Sequence, residues 1–550
     1  MTSPALPRET VTVEVNDLDR STRLMSGLVA VSRASGLVRM LVALAVLGTK
    51  SSLSNVYSSA NTVPTILFEM LAAGALSATL VPEFRRRYAA SDDDGLARLA
   101  SAVLAWGGLL LTAIVGVVLL WRAPMAELLL GRIDDPAQRA DAVALFELLL
   151  VVLLPQVVAY LVNAVAVAYL QARRRFGAAV ISPLINNLVL IATYGVFWVM
   201  RDGRGPSLNL SGREVATLGC GTLLGVVAMC AVPWFDARSH GFGLARPLPV
   251  RSPEVRRVVS DGAWAALFLA GGQFIGAVAL PFTNAAEGHT IIWIFAWQLF
   301  LLPHALLAVP VLTARFPAMA AAHDDGKVAE MAETLSGGVR SIAATGLLAG
   351  ALLWAVSAPV ARLFALGAAA DSAEPLARAL AALGPGIAAY GLVHLLARRS
   401  YAVGDTRTPG LVAVLIALVA AGIMITAVDR VSVVNRLAVL GAAVSGANIV
   451  GVIALARVAR PRIRLDRPLA RRFAGAIGAA AVARSVVVAS HGFDTGRGAD
   501  ALGVVAGGVA GTATYLMIDR LAGGPSWRRT VESLGAAEQT GERAIEEVAT

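Results

Sequence analysis

The chain has 550 residues, 57% of them hydrophobic and only 15% charged, with a mean hydropathy of +0.69, more apolar surface than ordinary soluble domains can bury. Much of it must therefore face lipid. The formal net charge of +10 then reads as membrane topology and not as a nucleic-acid footprint, because Lys and Arg of membrane proteins concentrate in cytoplasmic loops.

The first 25 residues are polar and mixed in charge, and the apolar run after them is too long for a signal-peptide core. Runs long enough to cross a bilayer follow near 26–48, 55–82, 99–121, 143–170, 178–200, 215–235, 261–283, 290–314, 338–359, 379–399, 409–428, 436–456, 471–489 and 500–519. The expected fold class is thus all-α integral membrane, with about 14 transmembrane helices. With both termini inside, the basic clusters Arg85 to Arg87, Arg173 to Arg175, Arg256-Arg257, Arg398-Arg399 and the run from Arg457 to Arg472 all fall on the cytoplasmic side. Pro64, Pro155, Pro303 and Pro310 interrupt spans, which predicts bends in a bundle that changes shape. Cys220 and Cys230 share one apolar run at a spacing that fits neither a redox pair nor a zinc site.

An internal repeat appears at a separation of six spans. The fourth span leaves as Tyr169-Leu-Gln-Ala-Arg-Arg-Arg-Phe176 before Pro183, and the tenth as Leu396-Ala-Arg-Arg-Ser-Tyr401 before Pro409. An even offset keeps both copies in the same orientation, so the repeats run parallel, as in two-bundle transporters with a site between the halves. The predicted organisation is a cytoplasmic tail at 1–25, an N-lobe at 26–240, a C-lobe at 241–460, a C-terminal helix pair at 461–522 and a polar cytoplasmic tail at 523–550.

The candidate chemistry lies in ionisable residues inside the spans, which are functional candidates by default. Arg39 falls near the middle of the first span and Glu69 near the middle of the second, with Arg33 closer to the cytoplasmic end. A guanidinium at mid-span costs roughly 2.5–3.5 kcal/mol on insertion scales. Two readings account for it. Arg39 recognises an anionic head group through its planar donor fork, or it pairs with Glu69 and locks two helices; the two combine if phosphate displaces Glu69. Asn55, Asn61, Asn186, Asn187, Gln273, Gln298, His304 and His394 either line a polar cavity or bridge helices, and Asn55, Asn61, Gln273 and Gln298 are the cavity candidates carried forward. Walker A, GxSxG, HExxH and Rossmann signatures do not occur. The chain is therefore read as a non-enzyme with no cofactor and no metal.

Three stretches carry a family resemblance: SRASGLVRMLVALAVLG at 32–48, NTVPTILFEMLAAGALSATLVPEF at 61–84 and RRSYAVGDTRTPGLVAV at 398–414. With these the chain resembles the MurJ/MviN family of peptidoglycan lipid II flippases, within the multidrug/oligosaccharidyl-lipid/polysaccharide exporter superfamily. The resemblance implies two six-helix lobes around a cationic cavity, with the last two spans forming a groove for a polyprenyl tail. It also implies that Arg33 and Arg39 are the two arginines of the first span, the second facing the cavity. The chain departs from the family pattern at Met40, at Phe68 or Glu69, at Ala73 and at Trp297-Gln298, where charged residues are usual. The family's sodium site is not expected here, because the span from Gly410 to Val428 has no Asp or Asn.

The function this implies is translocation of undecaprenyl-pyrophosphate-linked peptidoglycan precursor from the inner to the outer leaflet by alternating access, in the bacterial plasma membrane. Arg39, Arg33 and Glu69 are the expected substrate-binding residues. Two alternatives stand beside it: an exporter of another lipid-linked glycan or of an amphipathic drug, and a non-transporting scaffold for cell-wall assembly. The expected partners are the lipid-linked precursor, the bilayer and, through the C-terminal tail, cell-wall synthesis proteins, with no nucleic acid.

Overall fold

The computed structural model describes residues 28, 31–70, 74–364, 372–459, 468–491 and 496–521. The tails expected at 1–25 and 523–550 lie outside the described residues. Within them the chain is helical throughout. Helix α1 occupies 31–47, followed by α2 (Leu53–Phe68), α3 (Gly74–Ala89), α4 (Asp93–Ala102), α5 (Gly108–Leu120), α6 (Arg122–Leu130), α7 (Pro136–Leu153), α8 (Gln156–Ala172), α9 (Gly177–Arg201) and α10 (Gly212–Ser239). The second half runs through α11 (Pro253–Asn284), α12 (His289–Pro303), α13 (Val309–Asp324), α14 (Val328–Ala355), α15 (Ser357–Phe364), α16 (Ala373–Leu383), α17 (Gly386–Ala402), α18 (Arg407–Ala427) and α19 (Val433–Val458), and closes with α20 (Pro468–His491) and α21 (Arg497–Leu521).

Eleven helices among the described residues are long and apolar enough to cross a bilayer, or twelve if the bent pair α16 and α17 counts as one span. The expected count of fourteen is not reproduced. The stretch read as one span at 55–82 is described as α2, a π-turn at residues 69–70 and α3, with residues 71–73 outside the described residues, and only residue 28 and residues 31–47 of the first span are described as helix. Large apolar side chains such as Leu109, Leu120, Trp198, Leu418, Ile425 and Val509 point outward, as residues bathed in acyl chains do.

Local chemistry explains the breaks. Pro155 starts α8 directly after α7, and Pro385 starts α17 after a 46° bend from α16. Proline has no N–H, so each break leaves carbonyls in need of donors. At the second break Ser445 of α19 supplies one, its Oγ donating to Ala382 O at 2.8 Å and to Leu383 O at 3.3 Å. The two basic loops noted in the sequence also share a helix stop. Arg175 N–H reaches back to Leu170 O at 2.9 Å, and Asp405 N–H to Ser400 O at 2.9 Å, with the preceding residue left-handed in each case, Arg174 at φ 58° and Gly404 at φ 76°. This is a Schellman stop repeated in both halves.

Helices α7 to α10 pack on α2 and on one another, while α13, α14 and α16 to α19 pack together; α11 and α12 cross to meet α2, and α11 meets α3. The C-terminal helices α20 and α21 pair with each other and lean on α14 and α15.

Candidate functional site

The end of the bundle that carries the loop 285–288 is closed by polar contacts between the two halves. Gly288 turns the chain at φ 70° with its Cα face against Thr49. Asn55, buried to 1% exposure, donates from Nδ2 to Ala286 O at 2.7 Å and Thr283 O at 3.4 Å, and its Oδ1 accepts from Thr290 N–H at 3.0 Å. Ser59 Oγ and Thr290 Oγ1 both donate to Asn284 Oδ1, at 3.1 and 2.8 Å. Farther out, Arg132 clasps both oxygens of Asp429 at 2.7 and 2.8 Å, and Ser372 bonds Thr49 at 2.7 Å. Asn55 was expected as a cavity-lining residue; the structure places it in this clamp, with its amide fully used between helices.

Arg39 projects from α1, half-buried. Its Nε is buried without a hydrogen-bond partner, and no carboxylate among the described residues pairs with it. The guanidinium is near enough to Tyr57, Tyr160 and Tyr194 to act electrostatically on all three. Around it, Tyr57 OH bonds Thr222 Oγ1 at 2.5 Å and Tyr194 OH at 3.2 Å, while Asn187 Nδ2 donates to Ser35 Oγ at 2.9 Å and ties α1 to α9. Arg33, by contrast, is exposed; six residues from Arg39, it points about 240° away around the helix.

Glu69 is half-buried at the C-terminal end of α2. The ion pair between Arg39 and Glu69 weighed from the sequence is not formed. Tyr160 instead feels both charges, packs at a tilt against Phe68 with ring centroids 5.4 Å apart and donates from its hydroxyl to Gln156 Oε1 at 3.2 Å. Gln156 is fully buried and its Nε2 has no partner; Asn163 Oδ1 and Asn186 Oδ1 are likewise buried and unpaired. Unpaired polar atoms of this kind are costly in a dry interior, and a water or a polar ligand would satisfy them. Sequence reasoning missed Gln156, Tyr160 and Asn163, although their i, i+4, i+7 spacing puts them on one face of α8.

A cavity of about 350 Å³ opens beside α2, walled by α11, α12, α17, α18 and α19. Its polar lining comprises Thr62, Gln273, Tyr390, His394 and Asn448, with Trp297 among the apolar walls. Gln273 is thus one of the residues that line this cavity. Asn61 and Gln298 are half-buried neighbours of the lining residues Thr62 and Trp297 and are not themselves part of the wall, and neither Arg33 nor Arg39 lines it. A second hollow of about 450 Å³, almost wholly apolar, lies between α14, the α16–α17 bend and α20, with Leu347, Trp354, Phe473 and Ile477 in its walls.

The family model described as lipid II flippase MurJ matches residues 44–518. The chain belongs to the MurJ family of lipid II flippases. Among curated MurJ relatives, a probable lipid II flippase MurJ of Rhizobium meliloti is 25% identical over 390 residues, 69% of this chain and 69% of that protein. The lipid II flippase MurJ of Burkholderia cenocepacia is 26% identical over 411 residues, 72% of this chain and 76% of its own length. In fold, the chain is similar to a solved lipid II flippase MurJ in an inward closed conformation, with a TM-score of 0.70 at 17% identity, covering 92% of this chain and 99% of that one. It is also similar to an inward-facing multidrug resistance MATE family transporter of the MOP superfamily, at a TM-score of 0.62 and 17% identity, over 77% of this chain and 93% of the other. As a MurJ family member this chain is a multi-pass membrane protein of a transporter family.

Proposed function

We propose that this chain moves a polyprenyl-pyrophosphate-linked peptidoglycan precursor, lipid II, from the inner to the outer leaflet of the bacterial plasma membrane by alternating access. Arg39 carries the proposal, since its half-buried guanidinium has no carboxylate partner among the described residues and a buried Nε without a bond. A buried cation in that condition is stabilised by an anion that arrives from elsewhere, and a pyrophosphate matches its donor fork. Glu69, whose charge reaches the same Tyr160, competes for the guanidinium as the helices shift; Arg33, exposed on α1, meets the phosphate first.

The polar head is too costly to drag through hydrocarbon, so it crosses between an N-lobe of residues 26–240 and a C-lobe of residues 241–460 while the polyprenyl tail stays in lipid. The apolar hollow beside α20 suits that tail by its walls and its position next to the bundle. With both termini in the cytoplasm, the clamped end around Asn55 faces outward. Opening outward then requires Asn55, Ser59 and Arg132 to release Ala286, Asn284 and Asp429.

Depletion with complementation tests the reading. Arg39→Ala should abolish outer-leaflet exposure of the lipid-linked precursor, and Arg39→Lys, which keeps charge and loses the fork, should restore it only in part. Undiminished exposure with the alanine variant would overturn the assignment of the site.

A further inference from the structure

The cavity beside α2 holds a second set of groups that the flippase reading leaves unused. His394 lines it, and His304, the first residue of a π-turn at His304–Ala308, sits with its ring centroid 5.0 Å away. Tyr390 closes the triangle, 4.5 Å from the His394 ring and 4.8 Å from the His304 ring. His394 Nδ1 lies 2.9 Å from Tyr390 O; a carbonyl only accepts, so Nδ1 carries the hydrogen and Nε2 is left as the basic atom. His304 Nδ1 is buried with no partner at all.

The charged surroundings are one-sided. On α17, Tyr390, His394 and Arg398 follow at intervals of four and share a face, and Arg398 acts on both imidazoles. Arg315 of α13 turns to Thr334 O, Arg340 of α14 to Glu333, and His289 of α12 lies under the influence of Arg436 instead. No carboxylate among the described residues acts on either ring. An anion in the adjoining cavity would give a proton on either ring the counter-charge that these surroundings lack.

We propose that His304 and His394 form a proton-binding site that takes up one proton when a polyphosphate head group enters the cavity, so that anion and proton bind together. This rests on the flippase reading, with the head group passing from Arg39 into this cavity during the cycle, and names what accompanies its substrate. One H⁺ adds to a ring nitrogen and one positive charge appears beside the phosphate; by linkage, each ligand tightens the other. The rings are close enough that a second proton would meet like-charge repulsion, which limits uptake to one.

Calorimetry tests it with the full chain in lipid nanodiscs and farnesyl pyrophosphate as the probe, titrated between pH 6 and pH 8 in buffers of different ionisation enthalpy. Wild type should bind about tenfold tighter at pH 6 than at pH 8 and, at pH 6, take up about one more proton than the variants His304→Phe and His394→Asn, the difference shrinking toward pH 8, a comparison from which the probe's own titration cancels. The first variant keeps a ring in the cluster; the second keeps a donor for Tyr390 O, and each is used once it is shown to be monodisperse. Equal proton uptake by wild type and by either folded variant overturns the site while leaving the flippase reading intact. Failure of wild type to bind the probe at any pH overturns both.

Discussion

The Asn55 side chain and the Thr290 backbone form a buried cross-link between the first and second halves of the bundle, the carboxamide oxygen accepting at 3.0 Å while its Nδ2 donates to Ala286 O at 2.7 Å. The whole group is buried, so neither partner has water as a substitute.

Asn55→Ala should therefore leave an N–H and a carbonyl unpaired, destabilising the closed end by about 1–3 kcal/mol. In alternating access the loss shifts the population toward the state open at that end. The check is labelling of Ser59→Cys by a membrane-impermeant maleimide: Ser59 is fully buried in the clamp, and labelling should accelerate in the Asn55→Ala background. Equal labelling in both backgrounds would remove the clamp from the gating scheme.

Tyr160→Phe keeps the ring against Phe68 and removes the hydroxyl that reaches Gln156. Gln156 is then fully buried with neither polar atom satisfied, and the variant should lose about 1–3 kcal/mol. Because Tyr160 stands in the fields of both Arg39 and Glu69, outer-leaflet exposure of precursor should fall as well. Thermal unfolding and the complementation assay read the two effects separately.

Gly350→Ala should be far more damaging than its chemistry implies. A methyl at 350 would run into Gly384 O at the bend between α16 and α17, a backbone atom that cannot step aside, so about 1–3 kcal/mol of overpacking is expected. Gly116 of α5 is the control, with nothing within 4 Å of its would-be Cβ. Gly116→Ala should be neutral or raise the melting temperature, since alanine is the better helix former.

Acid should loosen the loop between α17 and α18. Burial alone would push the Asp405 carboxyl up, but Thr408, whose N–H donates to it at 2.9 Å, the Arg407 N–H and the Arg399 charge outweigh that and hold it below the usual carboxylate range. A depressed carboxylate stabilises the fold above its unfolded pKa of about 3.9, and the contribution fades as pH falls through the lower folded value. Asp405→Asn should accordingly lower the melting temperature at pH 7, and the gap from wild type should close as pH drops below about 4. A gap that persists at low pH would show that the charge is not what Asp405 contributes.

Composition and run length were enough to assign this chain to lipid, to find nearly every helix and to mark both basic loops, because a bilayer imposes its thickness and its polarity on any segment that crosses it. The GDTRTPG stretch and the two arginines of the first span carried the family in the same way, as local strings. Partnership was not written there. Whether Arg39 meets Glu69, whether Asn55 faces a cavity or a neighbouring helix, and that two histidines some ninety positions apart meet at one tyrosine depend on how the helices rotate against one another and how α16 and α17 bend at Pro385. Those are decisions of packing, in which a helix rotated by one residue turns its polar atoms about 100° to a different neighbour, and only the folded bundle makes them.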